Sequence, residues 1–129
     1  MAQVKIYGLA EHLRPRRREL SDAIHDSVIE ALQFPGDKRA HRFFPLERED
    51  FFMPAGRSDA YTIVEISMME GRSVATRKNL VRLLFERVQA RVGIAPQDLE
   101  ICIQESPPCN WGFRGQHGDE IQLSYRIDV

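Results

Sequence analysis

Long hydrophobic runs are missing from these 129 residues. No stretch reaches the roughly 18 apolar positions that a membrane-spanning helix needs. The first residues also lack the charged-then-apolar order of a secretory leader, so the expectation is a soluble, cytoplasmic protein. Cysteine is scarce. Cys102 and Cys109 form neither a Cys-x-x-Cys pair nor a Cys/His cluster with zinc-ligand spacing, which argues against a disulfide framework and against a bound metal. Cys102 falls within an apolar strand pattern and is expected in the core. Cys109 lies in a Pro107-Pro108-Cys109-Asn110 turn with no histidine beside it to activate a thiolate.

Charge of one sign is lacking too. Lys and Arg number 18 against 19 Asp and Glu, giving a net charge of -1 and no general attraction to nucleic acid or to an anionic membrane. The run Arg14, Arg16, Arg17 and Arg18 is flanked by Glu11 and Glu19 and reads as a solvated helix face. His12, His25, His41 and His117 are scattered, without the spacing of a metal site or a catalytic triad, and are assigned surface or structural roles. What remains is a chain of one-domain length, small enough that burying its hydrophobic faces can require partner subunits.

Hydrophobic periodicity supplies the elements. Val4 and Ile6 alternate with polar neighbours up to Gly8, which predicts a strand over residues 3 to 8. From Pro15, Leu20, Ile24, Val28 and Leu32 recur every fourth position, predicting an amphipathic helix of about five turns that stops at Phe34-Pro35-Gly36. Residues 40 to 46 read as a strand. Residues 47 to 59 read as a connection whose Phe51 and Phe52 should pack down on something.

The pattern then recurs: a β-branched strand over residues 61 to 68, a Glu70-Gly71-Arg72 turn, and Ser73 as cap of a helix bearing Leu80, Leu83, Leu84 and Val88. Gly93 ends that helix, and residues 99 to 105 form the next strand. Val81, Phe85 and Val92 widen the helix's apolar face, as if it were contacted on two sides. From Ile121, residues Leu123, Tyr125, Ile127 and Val129 alternate strictly with polar residues, predicting a terminal strand suited to pairing with another subunit. Right-handed crossovers place both helices on one face of a mixed sheet. The fold class is therefore α+β, a single domain of two tandem β-α-β units, residues 1 to about 57 and about 58 to 129.

This order of elements, with Phe34 to Arg39 after the first helix, Glu70 to Ser73 before the second, Gly93 to Leu99 after it and Asn110-Trp111-Gly112-Phe113-Arg114-Gly115 near the end, resembles the tautomerase superfamily. It is most similar to the two-unit members related to malonate semialdehyde decarboxylase. The resemblance implies a cofactor-independent homotrimer with a pocket for small keto or enol carboxylates near each N-terminus. It also implies proton transfer alpha to a carbonyl by an N-terminal proline amine exposed on removal of the initiator Met. Here that position is Ala2. A free Ala2 amine is a base with an ordinary pKa of about 8, yet it lacks the ring that fixes proline's geometry.

The resemblance further makes Arg72 the carboxylate-binding residue, a role that suits a planar guanidinium; the alternative is an ion pair with Glu70 or an acid elsewhere. Either Asp37 or Lys38 occupies the place of the decarboxylases' turn aspartate, and Arg39 is a second anion contact. The decarboxylases' second arginine is replaced within Met68-Met69-Glu70. Trp111 and Phe113, with Arg114 beside them, wall the pocket, or Trp111 plugs a subunit interface. Three functions follow: a tautomerase weakened by Ala2, a non-catalytic trimeric descendant that binds or scaffolds, and, from pattern alone, a ferredoxin-like binding module.

Overall fold

A computed structural model describes residues 2–129. Strand β1 (Ala2–Leu9) passes without a loop into a helical turn, α1 (Ala10–Leu13). A 3-10 turn over Arg14–Arg16 leads into the long helix α2 (Arg17–Leu32). Helical backbone therefore starts earlier than Pro15 suggests. Pro15 sits in the 3-10 turn, where its missing N–H and fixed φ are tolerated, and the buried Ala10 and Leu13 anchor the turn before it. Gln33, in the left-handed conformation at φ 52, closes α2. β2 (His41–Leu46), β3 (Thr62–Met69), α3 (Val74–Val92) and β4 (Leu99–Ser106) follow. No helix among the described residues is long and apolar enough to cross a membrane.

The sheet order is β2-β1-β3-β4, with β1 parallel to β2, β3 parallel to β4, and β1 antiparallel to β3 at the centre. Ala2, Val4 and Ile6 alternate into the core with Val64, Ile66 and Met68. Leu20, Ile24 and Leu32 from α2, and Leu80, Leu84 and Val88 from α3, close over them from one side. The expected Ser73 cap is present, its hydroxyl accepting the Thr76 N–H at 3.1 Å, and Gly93 terminates α3 at φ 78.

Cys102 departs from its expected core position and is exposed. On β4 the helix-facing residues are Leu99, Ile101 and Ile103, so Cys102 falls on the opposite face of an edge strand, which no helix covers. The connection after β2 is pinned by polar contacts. Asp98 accepts from the Ser58 N–H at 2.7 Å and its hydroxyl at 2.6 Å, and Tyr61 donates to Glu100 at 2.6 Å. Phe51 stacks on Tyr61, but Phe52 is 93% exposed, so only one of the two aromatics packs down within the chain.

The C-terminal segment differs from its expected strand form. Its burial alternates as the sequence predicts, with Ile121, Leu123, Tyr125, Ile127 and Val129 half-buried, yet it joins no ladder among the described residues. It runs as an irregular segment with bends instead, held by Tyr125 packing edge-on against Phe34 and by the Ser73 N–H donating to the Val129 carbonyl at 2.8 Å. The edge it was expected to cover is not supplied by its own chain.

Candidate functional site at the start of the first strand

Strand register brings the candidate residues to one end of the sheet. Ala2 lies opposite Met68, and Met68 lies opposite Glu105, so the three form a row across β1, β3 and β4. Ala2 itself is buried at 4% exposure, and Met1 before it lies outside the described residues. The loop preceding β2 is drawn in beside β1, where the Val4 N–H donates to the Ala40 carbonyl at 2.9 Å. The turn after β3 then carries Arg72 back over this end. Gly71 makes that turn at φ 142, and a Cβ there would come within 2.8 Å of the Ile127 carbonyl oxygen, so only glycine fits beneath the C-terminal segment.

Arg72 is 4% exposed. Its Nη1 donates to the Met69 carbonyl at 3.1 Å, whereas its Nε and Nη2 are buried without a hydrogen-bond partner among the described residues. Among the described residues Arg72 forms no ion pair with Glu70 or with another acid. Burial lowers the Arg72 pKa from its ordinary value, and Tyr125 and Glu105 partly offset that effect. Burial likewise raises the Tyr125 phenol, against the opposing pull of Arg72 and Arg114. Trp111 is held beside Met69 by Gly118, whose N–H donates to the Trp111 carbonyl at 2.7 Å and which has no room for a Cβ between Pro108, Met69 and Trp111. The Trp111 indole Nε1 is also buried and unpartnered.

The other residues singled out in the sequence are dispersed. Asp37 is exposed in the turn where the Lys38 N–H donates to the Pro35 carbonyl. Arg39 turns to α2, donating to Asp22 at 2.7 Å and Ser21 at 3.3 Å, and lines a cleft of about 480 Å³ with Arg14, Arg17 and Arg18. Phe113 and Arg114 belong to a small hairpin, β5 (Gly112–Phe113) and β6 (Gln116–His117), with the Arg114 guanidinium 5.3 Å from the Phe113 ring centroid. At the end of β3, Ala2 lies opposite Met68 while Arg72 and Trp111 meet Met69; Arg39, Phe113 and Arg114 make their contacts elsewhere.

A sequence profile described as "Tautomerase enzyme" matches residues 38–114, more than half of the chain. The chain belongs to the tautomerase family. Among its relatives, the probable tautomerase YusQ of Bacillus subtilis (strain 168) is 26% identical over 121 residues, spanning 86% of this chain and 95% of the relative. The FG41 malonate semialdehyde decarboxylase, solved as inhibited by 3-bromopropiolate, superposes with a TM-score of 0.77 at 28% identity, covering 86% and 88% of the two chains. A fused 4-OT described as an asymmetric trimer shares the fold at a TM-score of 0.79 and 17% identity, covering 91% and 96%.

Sequence reasoning singled out no residue of β4 at this end of the sheet, where Glu105 stands opposite Met68. Glu105 continues the helix-facing series Leu99, Ile101 and Ile103, and a carboxylate closing an apolar series was the signal available. Its Oε1 accepts from Arg77 Nη1 at 2.5 Å, while its Oε2 is buried and unpartnered.

His41, at the start of β2, is a structural histidine of another kind. Its Nδ1 lies 2.8 Å from the Ser21 hydroxyl, and burial, then His25 and Arg39, push its pKa down to about 4. A histidine depressed in the folded state binds its proton more readily when unfolded, so its contribution is complete above about pH 6.5 and is lost as pH falls toward 4. Urea denaturation across that window should show a loss of about 1–2 kcal/mol, discounted for the partial exposure of the ring, and His41→Asn should flatten the slope.

Proposed function

We propose that this tautomerase-family protein binds a small keto or enol carboxylate through Arg72 and transfers a proton at the carbon alpha to the carbonyl, working as a homotrimer. The observation that carries this reading is the buried Arg72 guanidinium with two N–H groups unspent. Buried donors are nearly always paired, and a cation that is not points to an absent anion. A carboxylate would take both hydrogen bonds in the planar, bidentate arrangement that a guanidinium favours. Trp111 supplies an apolar wall. Asp37, Lys38, Arg39, Phe113 and Arg114 are supporting contacts at most, since a rearranged loop or a partner subunit would be needed to gather them.

Removal of Met1 frees the Ala2 amine beside Met68, and that amine serves as the base. In the enol-to-keto direction, a proton leaves the enol oxygen and another is delivered to the alpha carbon; the reverse direction runs the same steps backwards, with no redox change and no group transferred. A primary amine on a rotatable residue is held less well than a ring nitrogen, so the reaction is slow. The same substitution favours a second reading, in which the protein keeps the pocket and the trimer but has given up catalysis.

One experiment separates the two. Intact mass of the untagged protein establishes whether Met1 is removed, and the same sample is assayed against phenylenolpyruvate and a panel of small enol acids beside Ala2→Pro. Proline is tolerated as the first residue of a strand, and the variant should turn over at least one acid about tenfold faster than the natural protein. Turnover by wild type supports the amine base. Activity confined to Ala2→Pro supports the binding descendant, and inactivity of both, with no acid bound, would sink the pocket itself.

A further inference from the structure

The sequence sets Glu11 and Glu19 beside Arg14, Arg16, Arg17 and Arg18, and the fold undoes that balance. Glu11 is drawn away to Arg48, and Glu19 forms no ion pair among the described residues. Arg16 turns to the His12 carbonyl at 2.9 Å. Arg17 Nε donates to the Arg14 carbonyl at 3.1 Å, which folds that side chain onto the 3-10 turn and leaves its two terminal nitrogens unspent. Arg14 and Arg18 have no ion pair or side-chain hydrogen bond among the described residues, whereas Arg82, Arg87 and Arg91 on α3 meet Glu86, Glu30 and Asp26.

The guanidinia of Arg14, Arg17 and Arg18 converge with that of Arg39 on the cleft of about 480 Å³ beside α2, which Glu19 and Ser21 also line. Arg39 is braced there. Its Nη1 donates to Asp22 at 2.7 Å and to the Ser21 hydroxyl at 3.3 Å, and Ser21, 9% exposed, lies 2.8 Å from His41 Nδ1. Its Nε and Nη2 remain unspent. Four guanidinia against the carboxylates of Glu19 and Asp22 leave two positive charges uncompensated, in a chain whose net charge is -1. Like charges gathered in one concavity repel one another and focus their field on an incoming anion. A single exposed ion pair contributes little, so a ligand must meet several of these guanidinia at once, and phosphate oxygens suit their planar fork. Pro15 is the one apolar lining residue, so nothing here anchors a ring or a hydrocarbon chain.

We infer that this cleft binds a small anion carrying two or more phosphate groups, held by Arg14, Arg17 and Arg18 from the helical turn and by Arg39 from the loop before β2. The ligand is recognised by its phosphates, and Ser21 and Asp22 act by positioning Arg39. The cleft shares no lining residue with the Arg72 end of the sheet, so the inference stands apart from the reading of Arg72 as a carboxylate clamp.

Calorimetric titration of the full-length, assembled protein with inorganic diphosphate, inorganic phosphate and citrate, at one ionic strength, tests it. Diphosphate should bind about tenfold tighter than phosphate, which has fewer oxygens to share, and than citrate, which carries similar charge on carboxylates. Arg18→Ala, a change at an exposed position that leaves the fold intact, should weaken diphosphate about fivefold or more. Arg16→Ala removes the same charge from the same turn without facing the cleft, and should change the affinity by less than about twofold. Arg72→Ala should leave it unchanged. Citrate binding as tightly as diphosphate, equal losses from Arg16→Ala and Arg18→Ala, or loss on Arg72→Ala would each overturn the inference. So would an oligothymidylate that binds tighter than diphosphate, since that result belongs to an extended basic surface.

Discussion

Arg72→Ala should cost the protein its affinity for small carboxylates by roughly a hundredfold or more while leaving its resistance to urea equal or higher. The first half follows from removing a charge-assisted, bidentate contact in a buried setting, where truncation of one partner costs about 2–5 kcal/mol. The second follows from the state of Arg72 without ligand. Its guanidinium is 4% exposed and meets only the Met69 carbonyl, so desolvation of a cation is not repaid within the chain. A residue kept for structure would show the reverse, with stability lost on truncation. Titration with a carboxylate and denaturation of the same two proteins measure both halves. Arg72→Lys retains the charge without the planar fork and should recover only part of the lost affinity.

Leu84→Ala should have the largest effect on folding, lowering stability by about 2–5 kcal/mol. Leu84 is 1% exposed on α3, part of the same buried cluster as Ile24 of α2 and Ile66 of the sheet. Its truncation leaves a cavity bounded by three elements that cannot all close on it. Against a total of about 5–15 kcal/mol for an ordinary domain this is a large fraction. The midpoint of urea unfolding should fall with its slope preserved. A loss below about 1 kcal/mol would mean that α3 is packed far more loosely than its burial indicates.

The strands and helices were readable because their signals are local. The spacing of Leu20, Ile24, Val28 and Leu32, the Ser73 cap and the Gly93 stop each act within a turn or two, and all three features hold. Cys102 was misplaced because alternation along an edge strand identifies two faces without saying which one a helix covers. The C-terminal alternation survives as a burial pattern and fails as a strand because a ladder needs a partner, and none is offered within the chain. Arg72 was legible through its turn and its family likeness. Glu105 was not, since its importance arises only when the register of β3 and β4 sets it across from Met68 and the first turn of α3 brings Arg77 to it.

The antiparallel pairing of β1 with β3 gives the sheet an approximate symmetry: a half-turn about an axis between these strands exchanges β1, α2 and β2 with β3, α3 and β4. Two related ends of the sheet result, and the chain has treated them differently. At the start of β3, Tyr61 is buried beneath Phe51, Arg57 is neutralised by Glu100, and Asp98 is saturated by Ser58. Most polar groups at that end pair with one another, with Arg57 Nε left over among the described residues. Its counterpart to the turn bearing Arg72 does not exist, because β1 runs straight into helix at Ala10. A duplicated architecture has thus been divided into one end whose polar groups are mostly paired and another where Arg72, Trp111 and Glu105 keep buried polar atoms unpaired among the described residues.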